Sequence, residues 1–195
     1  MRAFRKLTAR AAVIDRPDID TDQIVPKQFL KRIERTGYGE FLFYDWRQDP
    51  DFELNRPGCK GARILLTGPN FGCGSSREHA AWALQDYGFE VIVAPSYGDI
   101  FFSNAVQVGL VPVTLDAAEV KELIRSMGAG GQLTVDLESE TIVDPAGRVV
   151  QFEMDPFVRT SLLEGLDSIG RTLKHESDIA AFEARSPSPI STTPA

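Results

Sequence analysis

The sequence predicts an α/β fold with a central, parallel-rich sheet flanked by helices, plus short peripheral strands and C-terminal helices. Three observations predict it. Short apolar runs alternate with helix-like segments over residues 64–127, glycines stand where those segments stop, and after residue 131 the pattern changes to closely spaced short strands. Alternation of this kind sets consecutive strands side by side through right-handed crossovers. A chain of 195 residues can bury one good core, so residues 1–185 are assigned to a single domain.

Residues 4–14 are rich in strand formers and run into Asp15-Arg16-Pro17-Asp18, a turn-forming cluster, so a strand feeds a loop. That loop is acidic through Asp18, Asp20 and Asp22 as far as Pro26. Residues 27–35 then read as a short helix stopped by Gly37 and Gly39. The apolar run 64–66 leads as a strand into Gly68-Pro69-Asn70-Phe71-Gly72-Cys73-Gly74. A helix is expected over 75–87 with Ser75 as its N-cap, because Glu78 follows three residues later, and Gly88 ends it. Residues 91–94 read as a buried strand, 100–108 as a helix closed by Gly109, 110–115 as a strand, and Asp116 as the cap of a helix through 127. The stretches 132–137, 141–143 and 148–154 read as short strands around an Asp144-Pro145-Ala146-Gly147 turn, with helices following over 156–163 and 175–184. Residues 186–195, mostly Ser, Thr and Pro, are expected to form a disordered tail.

Composition excludes several functions. With 21 Lys and Arg against 28 Asp and Glu, the net charge of -7 argues against general binding to nucleic acid or anionic membranes. No apolar run approaches the roughly 18 residues of a membrane span. Arg2, Arg5, Lys6 and Arg10 read as a basic first strand, since the apolar stretch of a secretory signal is missing around them. Cys59 and Cys73 are too few for a disulfide framework, an iron–sulfur cluster or a structural zinc site, so a reducing compartment, the cytoplasm, is expected.

The segment from Asn70 to His79 carries the chemical information. Its small residues let backbone approach a ligand, and the helix after it begins with free N–H groups that attract anions. An arginine, Arg77, in the first turn repels the positive helix end unless a bound anion intervenes, which favours a carboxylate or phosphate ligand. Phosphate motifs fit poorly, because Arg77 stands where the dinucleotide fingerprint needs its third glycine and no Gly-Lys-Ser/Thr closes the loop. Neither Ser75 nor Ser76 is followed two positions on by glycine, as a hydrolase nucleophile elbow requires. His79 lies near Ser75 in sequence, but no acid to orient it is evident. The same residues would also serve a tight turn with serine caps and a solvated arginine, and residue types alone leave both readings open.

Three separated motifs narrow the choice: Asp20-Thr21-Asp22-Gln23-Ile24-Val25-Pro26, the run Asn70-Phe71-Gly72-Cys73-Gly74-Ser75-Ser76-Arg77-Glu78-His79-Ala80, and Gly165-Leu166-Asp167-Ser168-Ile169-Gly170. In this order they closely resemble the small subunits of bacterial 3-isopropylmalate dehydratase, which correspond to the swivel domain of the aconitase superfamily. Arg35-Thr36-Gly37, Asp45-Trp46-Arg47 and Ala94-Pro95-Ser96 extend the resemblance over nearly everything from Asp15 to Ala184.

The resemblance implies a swivelling β/β/α domain and a hydro-lyase that moves a hydroxyl to the neighbouring carbon by dehydration and rehydration. Such chemistry needs a Lewis acid for the leaving hydroxyl and a base for a weakly acidic C–H proton. The resemblance implies that a 4Fe-4S cluster on a separate large subunit supplies the first, that no cofactor binds this chain, and that it is active only with that partner. It further implies Ser75 as the base, Ser76 and Arg77 as holders of the substrate carboxylates, and Asp22 as an acid that orients Ser75 or Arg77. The loop 26–32 resembles the family's recognition loop; Phe29 and Leu30 offer apolar cover for an isopropyl group, while one of Lys27, Lys31 and Arg32 could serve a longer acidic substrate. The expected substrate is therefore 2-isopropylmalate, in leucine biosynthesis. Small subunits of homoaconitase and of citraconate or dimethylmalate hydratases, and a non-catalytic anion-binding module, stand as alternatives. Phe41, Phe43, Tyr44 and Trp46 read as core residues or as a docking face for the partner.

Overall fold

The computed structural model describes residues 1–31, 34–127 and 131–186. Residues 187–195 of the expected tail, Arg32 in the recognition loop and the glycines Gly128 and Gly130 lie outside the described residues. Seven strands form one sheet in the order β4-β3-β2-β1-β5-β6-β7. They are β1 (Lys6–Ile14), β2 (Ile64–Thr67), β3 (Val91–Ala94), β4 (Val111–Thr114), β5 (Gln132–Asp136), β6 (Thr141–Val143) and β7 (Val149–Gln151).

Strand β1 divides the sheet. Residues Ala11 to Ile14 pair parallel with β2, and β2, β3 and β4 continue parallel; Lys6 to Arg10 pair antiparallel with β5, and β6 and β7 continue as antiparallel hairpins. The short strands expected after residue 131 thus extend the same sheet from the other edge of β1. Strands β2 and β3 are buried at every position, which is why they read as continuous apolar runs rather than alternating ones.

Side-chain alternation sends the two sets of strand residues into separate cores. On one face Ala12, Ile14, Leu65, Ile92 and Ala94 pack beneath α2 (Glu78–Tyr87) and α3 (Asp99–Val108), the crossover helices between successive parallel strands. Crossovers of one hand that advance in one direction must share a face, and these two do. On the opposite face Ile64, Leu66, Val91, Val93, Val111 and Val113 meet Val120 and Leu123 of α4 (Ala117–Ser126) and Leu162 of α5 (Pro156–Glu164). Arg148, in the turn before β7, reaches Glu119 of α4 at 2.6 Å and Asp144 at 3.4 Å, so the antiparallel end of the sheet curls round that helix.

Local chemistry fixes the helix ends. Gly88 and Gly109 close α2 and α3 in left-handed conformations, as expected. Asp155 caps α5 by accepting from the N–H groups of Phe157 and Val158, and Asp167 caps α6 (Ser168–Leu173) by accepting from Gly170. Asp116 stands at the N-cap of α4 but makes no side-chain cap bond, so the expected cap there is positional only. His175 precedes α7 (Glu176–Arg185), a helix with no buried residue.

Two expectations need correction. The acidic loop contains a helical turn, α1 (Thr21–Ile24), closed by a capping box in which Asp20 accepts from the Gln23 N–H and the Gln23 side chain accepts from the Asp20 N–H. The helix expected over 27–35 is only a 3-10 turn at Lys27–Phe29, followed by further such turns at Tyr38–Phe41, Trp46–Gln48, Glu53–Asn55 and Pro57–Cys59. These turns are packed by aromatic rings: Phe43 is fully buried and stacks on Trp46 at 5.4 Å between centroids, and Phe41 stacks on Phe29 at 4.1 Å. Of the four aromatics considered as a docking face, Phe43 belongs to the core and Tyr44 alone is an exposed large apolar side chain. The other exposed ones include Phe157, Ile169, Leu173 and Phe182, on α5, α6 and α7.

Candidate functional site

Loops leaving the C-terminal ends of β1, β2 and β3 gather at one edge of the parallel half-sheet, where open α/β sheets bind ligands. They are joined by backbone bonds that continue the strand pairing beyond the sheet. Asp18 donates to the Pro69 carbonyl at 2.9 Å, Gly72 to Ile19 at 2.7 Å, Thr21 to Cys73 at 3.0 Å, and Phe71 to Ser96 at 3.0 Å. Asn70 ties all three loops: its amide side chain donates to Asp18 Oδ1 at 2.7 Å and its N–H to Ser96 Oγ at 2.8 Å. Asn70 holds a left-handed φ of 60°, which asparagine tolerates better than most residues.

The glycines of the loop answer to contacts. At Gly72, φ is 72°, and a Cβ would lie 2.2 Å from Cγ of Phe101 on α3, so the loop lies flat on that ring. This is the small-residue requirement read from the sequence, with a packing cause rather than a ligand one.

The helix expected to open at Ser75 opens at Glu78. The cause is the bonding of the preceding residues: Cys73 O accepts from the Thr21 N–H and Ser75 O from the Thr21 hydroxyl, while Gly74 turns at φ 90°. The chain is thus held alongside α1 and cannot begin a helix. Ser75 is not an N-cap; Arg77 occupies that position in extended conformation, and no side chain caps α2. Arg77 accordingly precedes the first turn instead of standing in it, which removes the conflict with the helix dipole read from the sequence. Ser75 and Ser76 are exposed, before the uncapped N–H groups of α2.

Arg77 and Asp22 form an ion pair across the two loops, the guanidinium side chain 15% exposed and the carboxylate 49%. The structure therefore joins Asp22 to Arg77 and, through the hydroxyl of Thr21, places α1 against the backbone of Ser75. Asp22 also borders a concavity of about 330 Å³ lined by Pro26, Lys27, Gln28 and Asp45. Phe29 and Leu30 are half-buried and pack against the core, Phe29 with one face on Phe41 and an edge contact to Tyr44 at 4.8 Å; Lys31 is exposed. Phe29 thus anchors the recognition loop to the core. Sequence reasoning missed Thr21, Asn70 and Ser96 as parts of the site. The Asp20–Gln23 spacing of three was the available signal that a helical turn would present Thr21 and Asp22 from one place.

Titration separates the remaining candidates. Burial, with Arg77 nearby, outweighs Glu78 and holds the His79 imidazole below its usual range, and the ring lies between Tyr38 and Trp82 at 5.2 and 4.7 Å. It is a packed neutral aromatic. Burial and then the carboxylates of Asp20 and Asp18 push the Cys73 thiol up, and burial raises that of Cys59. Neither is a ready thiolate. A 4Fe-4S cluster takes four ligands, mostly thiolates, whereas this chain has two protonated thiols, and among the described residues no three His, Cys, Asp or Glu side chains group as metal ligands. The donor set does not fit a cluster.

Comparison with known proteins agrees with the motifs. Residues 1–118 match the family model of the aconitase C-terminal domain, and residues 122–156 match the model LeuD_N. The 3-isopropylmalate dehydratase small subunit of Leptospira interrogans is 52% identical over 195 residues, covering 95% of each chain. That of Rhodopirellula baltica is 55% identical over 94% of this chain and 98% of its own, and that of a Parafrankia species 53% over 99% and 100%. Among solved structures, the 3-isopropylmalate dehydratase (leuD) of Methanocaldococcus jannaschii superposes with a TM-score of 0.70 at 26% identity, covering 91% of this chain and 99% of that one.

Proposed function

The chain belongs to the family of 3-isopropylmalate dehydratase small subunits, within the aconitase-like hydro-lyases, and from that premise we propose that it converts 2-isopropylmalate to 3-isopropylmalate together with a large subunit in leucine biosynthesis. The observation that carries this reading is near-full-length identity above 50% to small subunits so named, beside the serine-arginine loop of this chain held against α1. The 4Fe-4S cluster, carried by the partner, supplies the Lewis acid for the departing hydroxyl when bound. The chain works in the reducing cytoplasm, with neither nucleic acid nor membrane as partner. No described helix is long and apolar enough to cross a membrane, and both cysteines are free.

Within this proposal each residue has a physical task. Ser75 takes the proton from the carbon beside the substrate carboxylate. A serine hydroxyl is a weak acid, so its oxyanion needs the α2 N–H groups and the Arg77 charge close by in a site closed to water. Ser76 and Arg77 hold the substrate carboxylates, for which a planar guanidinium offers two parallel N–H bonds and a lysine does not. Asp22 holds one edge of Arg77 and so directs the other towards substrate. Phe29 and Leu30 form the apolar side of the recognition loop, and Lys31 lies at its exposed end. Contact between those apolar side chains and an isopropyl group is worth about 1–3 kcal/mol of discrimination.

Anaerobic turnover of 2-isopropylmalate by this chain mixed with the cluster-loaded large subunit of the same organism tests the proposal. Each subunit alone should be inactive and the mixture active. Ser75→Ala should lower kcat by about 10²–10⁴-fold, the range of a lost general base, with complex formation intact. Turnover of citraconate or dimethylmalate in place of isopropylmalate would transfer the reading to a related hydratase. Ligand binding without turnover in any mixture would leave an anion-binding module.

A further inference from the structure

We propose that Thr21 is a positioning residue for Ser75, gripping the loop at two points so that the serine's Cα–Cβ bond has one direction; this rests on the reading of Ser75 as the base. The loop that carries Ser75 is conformationally permissive, with Gly72 and Gly74 both at positive φ in the three residues before it. Nothing in such a sequence fixes where a serine side chain will point. Thr21 supplies what is missing. Its N–H donates to Cys73 O at 3.0 Å and its hydroxyl to Ser75 O at 2.9 Å, so one residue holds the peptide plane before Gly74 and the plane after Ser75, the two that bracket the Gly74–Ser75 pair. With the carbonyls at both ends of the Gly74–Ser75 pair held, the backbone of the pair is restrained and the chief freedom left to the serine hydroxyl is its own χ1.

The grip is stiff. Thr21 is 2% exposed, its β-branched side chain has few rotamers, and its backbone belongs to the turn closed by the Asp20–Gln23 capping box. The neighbouring residue, Asp22, addresses Arg77. Adjacent residues of α1 thus hold the two ends of the Ser75–Arg77 run by different means, a hydroxyl on the carbonyl of the base and a carboxylate on the carboxylate binder. The consequence is a separation of kinetic effects: loosening Thr21 moves the base and lowers kcat, while substrate carboxylates keep their arginine and KM changes little. Misplacing a reacting group by about 1 Å costs on the order of 10²-fold.

The test uses the assembled enzyme with its large subunit. Thr21→Val, which keeps shape and removes the hydroxyl, should lower kcat ten- to a hundredfold with KM within twofold, while Thr21→Ser, which restores the donor, should return kcat to within about threefold of the parent. In a Ser75→Ala background Thr21→Val should cause no further loss, since there is no hydroxyl left to direct. Unchanged kcat in a folded, assembled Thr21→Val enzyme overturns the inference, as does equal impairment of the Val and Ser variants, or an undiminished effect in the Ser75→Ala background. A fully active Ser75→Ala enzyme overturns the base assignment and the inference with it, whereas an inactive Ser75→Ala beside a fully active Thr21→Val overturns the inference alone. Should circular dichroism find Thr21→Val unfolded, Thr21→Cys, similar in size with a weak donor, is held to the same outcomes.

Discussion

At the scale of single residues, the site depends on partners that a linear sequence does not display. The sequence marks Arg77 as a candidate anion binder from its place after the glycine loop, but its pairing with Asp22, 55 positions earlier, belongs to the fold. Removing that carboxylate's charge leaves a largely buried guanidinium without its charged partner. Asp22→Asn should therefore raise KM about tenfold, in line with the 1.5–3 kcal/mol of a charged hydrogen bond, and steady-state kinetics of the assembled enzyme would measure it. The Cys73 thiol gives the opposite lesson. Its place in the glycine loop suggests reactivity, yet burial and then Asp20 and Asp18 keep it protonated. Alkylation at pH 7 should be slower at Cys73 than for an unhindered thiol and should accelerate only at pH values above the ordinary cysteine range, as mass spectrometry of labelled peptides can follow.

At the scale of elements, strands and crossover helices were legible because they obey simple periods, and helix starts and 3-10 turns were not. β2, β3 and β4, with α2 and α3 between them, follow the expected order, and Gly88 and Gly109 stop the helices where a left-handed residue is needed. The start of α2 shifted by three residues because tertiary hydrogen bonds to Thr21 compete with helix nucleation. The turns between residues 27 and 59 lack any period to read; aromatic packing, not backbone pattern, holds them. Capping is the exception that local sequence does encode. Asp155 satisfies two N–H groups of α5 just before Pro156, so Asp155→Ala should cost about 1 kcal/mol, measurable as a lowered urea midpoint with an unchanged slope.

At the scale of the whole molecule, one sheet with two cores carries the site on its parallel half and is fastened at its antiparallel end by charge. Asp144 is buried, which by itself would raise its pKa, but the N–H groups of Arg148 and Ala146 and the Arg148 guanidinium outweigh this and hold it below the usual carboxylate range. Asp136 is held low in the same way, burial being overcome by the N–H groups of Ser139 and Glu138 and by Lys6. Carboxylates with depressed folded-state values favour folding above their unfolded pKa, and this contribution fades as pH falls through the folded value. Urea midpoints should therefore be flat near neutrality and fall below about pH 4, the ordinary aspartate value being 3.8, and Asp144→Asn should flatten that fall. The position of β1 has a further consequence, in time rather than in space. The strand that divides the sheet is the first to be synthesised, yet its parallel partner begins at Ile64 and its antiparallel partner at Gln132. A nascent chain therefore carries β1 with one edge unpaired until Gln132 has emerged, so completion of the sheet waits on that later segment and the open edge is in the meantime exposed to pairing with another chain.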